Sequence, residues 1–202
     1  MALRFPKTSA VAAVFGCSPD ALAFYTLDCL RQVKAAADAS ALPIYATIPV
    51  APCRHNIAAR RTAKKQRRAQ RDLNSAVAEL DRRLTEAGLD QRIDWTAAEP
   101  NPLFAGKLAA VQALLQRSPQ LRDDVHAATR RVFEGKEPRR VTDAQVEVGT
   151  RYVIEELAML LTLPELLRGD VLLPAHPWPV AQALIEQRYG NDPTHLHFVS
   201  IE

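Results

Sequence analysis

The stretch SAVAAVFGCSPDALAF, residues 9–24, combines a buried strand, a tight turn and the first turn of a helix. Val11 to Phe15 is a short, apolar and partly β-branched run, which is typical of a central parallel strand. Gly16 allows a sharp turn and the close approach of a ligand. Ser18 follows at a natural N-cap, with Pro19 at the first helical position. The stretch therefore places a hydroxyl between a strand and a helix, where open α/β sheets bind ligands.

Two roles are open for Ser18. The amino end of a helix supplies free N–H groups and a positive field that suit a developing oxyanion, so Ser18 could be a nucleophile. A serine in this position could equally do no more than cap the helix. The adjacent Cys17 is a second possible nucleophile, although a buried structural cysteine is the simpler interpretation.

The composition is that of an ordinary globular protein, and its 202 residues fit a single domain over residues 1–202. No apolar run is long enough to span a membrane. The three cysteines are odd in number and lack metal-binding spacing, so we expect a reducing cytoplasmic location and no metal. The sequence also lacks a Walker loop and a full dinucleotide fingerprint, and we expect no cofactor.

Apolar runs and turn residues divide the rest of the chain into alternating elements. Further strands are predicted over Leu42–Val50, Val171–Ala175 and His195–Ser200, with a possible short one over Gln91–Trp95. Helices are predicted over Asp20–Ala37, Asn56–Ala87, Asn101–Arg117, Gln120–Phe133, Thr142–Leu161 and Val180–Tyr189. This alternation predicts an α/β fold, a single Rossmann-like domain with a doubly wound parallel sheet flanked by helices.

One segment carries the positive charge of the chain. Residues 54–71 contain eight Lys and Arg and no acidic residue, whereas the whole chain has 26 Lys and Arg against 23 Asp and Glu. Helical spacing places five of these cations on one face of the predicted helix: Arg60, Lys64, Arg67, Arg68 and Arg71. A basic run is commonly only a solvated face. A same-face run without acidic residues is better explained by a polyanion, with an RNA or DNA backbone as the obvious candidate.

Two further features could meet Ser18. Tyr152 and Glu156 are four residues apart and share a face of the predicted helix that starts at Thr142. They could also be a half-exposed tyrosine beside a surface glutamate. His176 falls in a turn at the carboxyl end of a predicted strand, as Ser18 does. A hydroxyl, a Tyr–Glu pair and an imidazole could therefore converge in one crevice.

At these residues the chain resembles the cyclodipeptide synthases. VFGCSPDALAF is similar to the family's Gly-x-Ser turn, and RRTAKKQRRAQRDLNSAVAEL is similar to its basic helix. YVIEELAMLLTLPELL resembles its Tyr-x-x-x-Glu signature helix, and VLLPAHPWPVAQAL resembles the strand and turn that carry its last catalytic residue. The four motifs occur in the family's order and spacing over nearly the whole chain.

The resemblance implies the fold of the catalytic domain of class I tyrosyl- and tryptophanyl-tRNA synthetases. It implies that two aminoacyl-tRNAs react to a 2,5-diketopiperazine without ATP or a cofactor, and it implies no membrane and no protein partner. Ser18 would be the nucleophile, Tyr152 and Glu156 would bind the substrate ammonium, and His176 would be the last catalytic residue. The implied substrate-binding residues are Val14, Gly16, Ala21 and Pro177. The implied tRNA-binding residues are Arg60, Arg61, Lys64, Lys65, Arg67, Arg68 and Arg71.

One position departs from the family pattern, because His176 stands where the family has Tyr. A family member that makes a linear dipeptide or another aminoacyl-transfer product is therefore a first alternative. A second is an RNA- or nucleotide-binding Rossmann module in which Ser18 only caps a helix. A third, an unrelated serine hydrolase, lacks support because Gly-Cys-Ser-Pro-Asp is not a Gly-x-Ser-x-Gly elbow.

Overall fold

A four-stranded parallel sheet is the centre of the structure. The computed structural model describes residues 9–16, 19–39, 42–93, 101–134, 141–174 and 178–199. The strands are β1 (Val11–Val14), β2 (Ile44–Thr47), β3 (Val171–Pro174) and β4 (Leu196–Val199). Their order across the sheet is β2-β1-β3-β4, and every neighbouring pair is parallel. The predicted α/β fold with a parallel sheet is confirmed.

The central strand β1 defines the switch point of the sheet. All four of its residues are buried, because the sheet is covered by helices on both faces. Val11 pairs with Ile44 of β2, and Ala12 pairs with Val171 of β3. The chain leaves β1 towards β2 and returns on the other side as β3. The carboxyl ends of β1 and β3 thus flank the position where doubly wound sheets bind ligands.

Eight helices are found in the described part of the chain. They are α1 (Pro19–Phe24), α2 (Leu27–Asp38), α3 (Cys53–Ala58), α4 (Ala63–Glu86), α5 (Pro102–Arg117), α6 (Pro119–Glu134), α7 (Asp143–Leu167) and α8 (Pro179–Ile185). On one face of the sheet, α1, α2 and the second half of α4 bury a cluster that includes Phe15, Leu30 and Leu80. On the other face, α5 to α8 bury a larger cluster that includes Val14 and Leu157. The candidate site residues on α7 therefore share the face of the sheet to which Val14 belongs.

The helix α7 starts where the sequence predicts. Thr142 Oγ1 accepts a hydrogen bond from the Gln145 amide at 3.3 Å, and Gln145 Oε1 accepts one from the Thr142 amide at 3.1 Å. This reciprocal capping box satisfies two amides that have no partner inside the helix. Close packing against α6 needs Gly149, because a Cβ there would lie 2.5 Å from Phe133 Cε2. Local capping thus fixes where α7 begins, and a residue without a side chain lets it pack.

The prediction of one helix over Asn56–Ala87 is wrong, because α3 ends at Ala58 and α4 begins at Ala63. Thr62 is the N-cap of α4, and its hydroxyl accepts a hydrogen bond from the Lys65 amide at 3.3 Å. Across the break, the side-chain amide of Gln145 donates to the Ala59 carbonyl at 3.3 Å. This hydrogen bond from α7 satisfies the Ala59 carbonyl, which lies between the two helices.

Three other predicted boundaries also change. The helix over Asp20–Ala37 is divided into α1 and α2, because Thr26 caps α2 by accepting a hydrogen bond from the Cys29 amide at 3.2 Å. The possible strand over Gln91–Trp95 is reduced to one parallel bridge between Ala46 and Arg92, and residues 94–100 lie outside the described ranges. The last predicted helix is shorter, since α8 ends at Ile185.

None of the described helices combines the length and the hydropathy that crossing a membrane requires. Within the same part of the chain, no group of three or more His, Cys, Asp and Glu residues could hold a metal ion. Cys29 and Cys53 are buried, whereas Cys17 lies outside the described residues.

Candidate functional site

Two segments that carry predicted site residues follow neighbouring strands at the switch point of the sheet. Val14 is the last residue of β1 and is buried on the face covered by α7. Gly16 lies two residues further along the chain and is partly buried. Ser18, His176 and Pro177 lie outside the described residues. They nevertheless follow β1 and β3, whose parallel pairing makes their carboxyl ends neighbours.

The Gly16 turn is held by a tyrosine. The Gly16 amide donates a hydrogen bond to the Tyr25 hydroxyl at 3.0 Å. Tyr25 is buried, and its ring packs edge-on against Phe15 with 5.4 Å between the ring centroids. This amide is therefore already hydrogen-bonded within the protein. The helix α1 has only six residues, so its macrodipole is also weaker than the predicted longer helix would supply.

The Tyr152–Glu156 pair lies on the buried middle of α7. Glu156 is only 6% exposed, so the surface-glutamate interpretation is wrong. Burial raises the pKa of the Glu156 carboxyl to about 7, and the hydrogen bond that the Tyr152 hydroxyl donates to it opposes the rise. In the described part of the chain, no cation lies within ion-pair distance of this carboxyl. The pair thus forms a buried, hydrogen-bonded carboxyl on α7.

The preceding residue, Glu155, has a different environment. Its Oε1 accepts a hydrogen bond from Arg54 at 2.9 Å and lies 2.7 Å from His55 Nε2. Arg54 and His55 belong to α3, so these contacts fasten α3 to α7 beside the Tyr152–Glu156 pair. Sequence reasoning missed this cluster, since nothing local links residues about 100 positions apart.

Five of the predicted tRNA-binding cations lie on the first two turns or so of α4. All five side chains are exposed: Lys64, Lys65, Arg67, Arg68 and Arg71. Arg68 lies 3.8 Å from Asp72, which is also exposed. Directly after this basic segment, Leu73 packs in the cluster that Tyr152 also contacts. The basic segment of α4 (residues 64–71) therefore ends close to Tyr152.

Arg60 does not belong to that helical face, which corrects the predicted stripe, and the predicted tRNA-binding residue Arg61 is not part of α4 either. They lie between α3 and α4. The Arg60 guanidinium lies over the ring of Phe133, 4.9 Å from its centroid. Arg61 Nε donates to Gln145 Oε1 at 3.1 Å. Both side chains thus contact the α6 and α7 side of the protein, and their tRNA-binding role stays a prediction.

Ala21 lies on the other face of the sheet from Val14. It is buried among Phe15, Tyr25 and Leu80, in the cluster between the sheet and α4. Its closeness to the turn is direct, since a Cβ at Gly16 would lie 3.4 Å from the Ala21 Cβ. Its role as a substrate-binding residue stays a prediction, as do those of Val14 and Gly16.

Comparisons with known proteins match the chain to one family and its fold. A family model described as cyclodipeptide synthase matches residues 40–195, more than half of the chain. Among curated proteins, none matches the chain.

Solved structures share the fold at low sequence identity. AlbC, a cyclodipeptide synthase from Streptomyces noursei, is 10% identical with a TM-score of 0.69, over 97% of this chain and 96% of that one. A Mycobacterium tuberculosis protein is 16% identical with a TM-score of 0.65, over 94% and 84% of the two chains, and its structure demonstrates that cyclodipeptide synthetases are related to type I tRNA synthetases. The synthase from Candidatus Glomeribacter gigasporarum, bound to Phe-tRNAPhe, is 16% identical with a TM-score of 0.55, over 96% and 88%.

Proposed function

This chain belongs to the cyclodipeptide synthase family, and we propose that it makes a 2,5-diketopiperazine from two aminoacyl-tRNAs through intermediates bound to Ser18. The observation that carries the proposal is the Glu156 carboxyl, which is buried, hydrogen-bonded to Tyr152 and raised in pKa to about 7. A buried carboxylate without a cation is costly, and a substrate α-ammonium would offset that cost.

The first step is the transfer of one aminoacyl group to the protein. Ser18 Oγ attacks the ester carbonyl of the first aminoacyl-tRNA, the tRNA 3′-oxygen leaves with a proton, and an aminoacyl ester forms on Ser18. The ester is already activated, so the step needs no ATP. Val14 and Gly16, at the end of β1, would line the pocket for the side chain of this first residue.

The α-ammonium of the bound aminoacyl group would then be held by Tyr152 and Glu156. An amine attacks only after losing its proton, and a carboxylate with a pKa of about 7 can accept that proton near neutral pH. The freed amine attacks the ester carbonyl of the second aminoacyl-tRNA, the 3′-oxygen of this tRNA leaves with a proton, and a dipeptidyl ester remains on Ser18. The terminal amine of the dipeptide then attacks this ester, which closes the ring and releases the Ser18 hydroxyl.

The acceptor arms of both tRNAs would lie along the basic segment of α4. Its cations are exposed on the same helix that packs against Tyr152 through Leu73. Phosphate contacts by exposed Lys and Arg supply affinity without reading the sequence of the nucleic acid. The tRNA complex of the synthase from Candidatus Glomeribacter gigasporarum supports this choice of substrate.

The test is mass spectrometry of medium from cells that express the chain. We expect a new diketopiperazine mass with the wild type, none with Ser18→Ala, and the wild-type product with Cys17→Ala as the matched control. Trapping of radiolabelled aminoacyl groups on the protein should be lost in Ser18→Ala as well. Undiminished product from folded Ser18→Ala would exclude the covalent mechanism.

A second candidate product follows from His176, which stands where the family has Tyr. If the imidazole does not support ring closure, water releases a linear dipeptide that is heavier than the diketopiperazine by one water molecule. If it does, His176→Ala should lose most cyclic product, His176→Tyr should keep a substantial part and His176→Phe should not. Full cyclisation by His176→Phe would show that neither a hydrogen bond nor a proton relay is needed at this position.

A further inference from the structure

The second half of α4 contacts the segment that follows the candidate nucleophile. Arg83 lies near the carboxyl end of this helix, and its side chain is 26% exposed. One amino group of its guanidinium donates hydrogen bonds to the carbonyls of Leu22 and Tyr25, each at 3.0 Å. A short helix leaves its last carbonyls without partners inside the helix, and Leu22 belongs to the last turn of α1. Arg83 therefore supplies, from another element, donors that α1 lacks.

A further hydrogen bond links Tyr25 to the turn at Gly16. Tyr25 holds the Gly16 amide through its hydroxyl, at 3.0 Å. Ser18 lies in the chain between Gly16 and α1, so the segment that carries it is bounded by two anchored points. On α4 itself, Glu79 accepts a hydrogen bond from Arg83 Nε at 2.7 Å, which fixes the plane of the Arg83 guanidinium. Planar guanidinium groups hold such a geometry better than a flexible ammonium does.

From these contacts we propose that Arg83 and Tyr25 are positioning residues, which set the place of the Ser18 hydroxyl relative to tRNA bound on α4. The proposal rests on the proposed function, in which Ser18 is the nucleophile. One continuous helix would carry both the tRNA-binding cations and the positioning contact, because the basic segment and Arg83 belong to the same 24 residues. At a rise of about 1.5 Å per residue, Arg67 and Arg83 are separated by about 24 Å along the axis of α4.

The role follows from the demands of the reaction. The ester carbonyl and Ser18 Oγ must meet within a small tolerance, and misplacement of a reacting group by about 1 Å costs on the order of a hundredfold in rate. If the cations of α4 bind the tRNA through its phosphate groups, the position of the tRNA is set by α4. A rigid contact from α4 to the segment that bears Ser18 would therefore align the two reactants, and Arg83 would contribute nothing to tRNA affinity.

The adjacent Arg82 provides a matched control. It lies on the same turn of α4, but its hydrogen bonds go to Glu79 and Glu86 on its own helix. Replacing Arg82 removes the same charge and the same side-chain volume without touching the segment after β1, and Glu79, which both arginines contact, should keep its hydrogen bond to Arg83 Nε. Tyr25→Phe is the second test variant, because it keeps the ring against Phe15 and removes only the hydroxyl that holds Gly16.

The experiment measures two quantities with total tRNA charged with a radiolabelled amino-acid mixture: the single-turnover rate at which label is trapped on the protein, and the dissociation constant of the tRNA. For Arg83→Ala we expect the trapping rate to fall roughly tenfold or more while the dissociation constant changes less than about twofold. Added methylguanidinium should restore part of the rate. Tyr25→Phe should show the same split, and Arg82→Ala should match the wild type in both quantities.

The outcomes separate the two proposals. Trapping of label by Ser18→Ala at the wild-type rate contradicts the proposed function. Loss of trapping in Ser18→Ala together with wild-type rates in folded Arg83→Ala and Tyr25→Phe overturns the positioning role alone. An equal loss of tRNA affinity and rate in Arg83→Ala, without rescue by methylguanidinium, also overturns it. If Arg83→Ala does not fold, the rate measured for Tyr25→Phe decides.

Discussion

Glu155 and Glu156 are consecutive on α7, yet their carboxyls have opposite environments. Glu155 is fastened to Arg54 and His55 of α3, at 2.9 Å and 2.7 Å. Glu156 is buried beside Tyr152, and among the described residues no cationic side chain forms an ion pair with its carboxyl. The helix turns by about 100° per residue, so neighbouring side chains face different partners. This difference allows a comparison of a structural glutamate with a candidate functional one in the same turn of helix.

We expect Glu156→Gln to lose product by roughly a hundredfold or more, because an amide can neither neutralise the substrate ammonium nor accept its proton. Label trapped on Ser18 should persist, since the change acts after the first transfer. Glu155→Gln is the control and should keep most of the activity, with some loss of stability where α3 meets α7. Mass spectrometry of the product and acid trapping of the labelled protein provide the measurements. Normal turnover by Glu156→Gln would leave this residue without a role in the reaction.

The raised pKa of Glu156 predicts how stability depends on pH. The folded protein holds the proton up to about pH 7, whereas the unfolded chain releases it near the ordinary value of 4.5. The unfolded state therefore binds fewer protons in this interval, and the free energy of unfolding falls as pH rises from about 4.5 to about 7, by roughly 3 kcal/mol from this group.

Glu156→Gln should remove that decline. Relative to the wild type, the variant should gain stability between about pH 5 and about pH 8, as measured by urea unfolding at each pH. Taking the difference between the two proteins cancels the titration of all other groups. A constant difference across this range would show that the Glu156 carboxyl titrates normally.

The basic segment of α4 predicts a salt-dependent affinity for tRNA. Reversing Lys64, Arg67 and Arg71 to Glu should weaken binding steeply, and the slope of log affinity against log salt should become shallower by about 1 for every phosphate that is no longer bound. An equal reversal of charge on α5 and α6, at Arg117, Arg122 and Arg131, is the control for net charge. Affinities of both variants should be measured over a range of salt concentrations. Indifference of the affinity to salt and to the α4 reversal would make the segment an ordinary solvated face.

Arg60 should behave differently from those cations. Its guanidinium lies over the buried ring of Phe133, so Arg60→Ala is expected to lower the free energy of unfolding by about 1 kcal/mol. Arg67→Ala, on the exposed face of α4, should leave stability nearly unchanged. Thermal unfolding of the two variants gives the comparison. Equal melting temperatures would mean that the contact with Phe133 contributes no stability.

Replacing two glycines by alanine should affect the stability of the protein in different ways. At Gly16 the new Cβ would have only ordinary contacts, at 3.4 Å from Ala21 Cβ and 3.7 Å from the Tyr25 hydroxyl. Gly16→Ala should therefore fold normally and lose product only if a substrate approaches this backbone closely. At Gly149 the Cβ would lie 2.5 Å from Phe133 Cε2, and Gly149→Ala should cost about 1–3 kcal/mol.

Measured melting temperatures and product yields separate the two effects. Full activity of Gly16→Ala would argue against a close approach of the substrate at this turn. An unchanged melting temperature for Gly149→Ala would mean that α6 can move away from α7 without cost.

Local signals in the sequence determined the strands and the ends of several elements. β1 and β2 are apolar runs bounded by turn residues, and α7 begins at a capping box whose two partners are three residues apart. Thr26 and Thr62 were also local signals, since both cap helices, and the predicted helices passed through them. Helix propensity alone could not find these breaks, because the surrounding residues are good helix formers.

Only the tertiary structure decided which charged side chains are exposed and which are buried or held by contacts within the protein. Arg60 leaves the predicted basic face and lies over Phe133, and its neighbour Arg61 donates to Gln145, both partners being far along the chain. Glu156 is buried although the sequence also allowed a surface glutamate at this position, because α7 packs against the sheet and against α3, α5 and α6. Residue spacing reports the faces of one helix, and how many of those faces are covered depends on what packs against it.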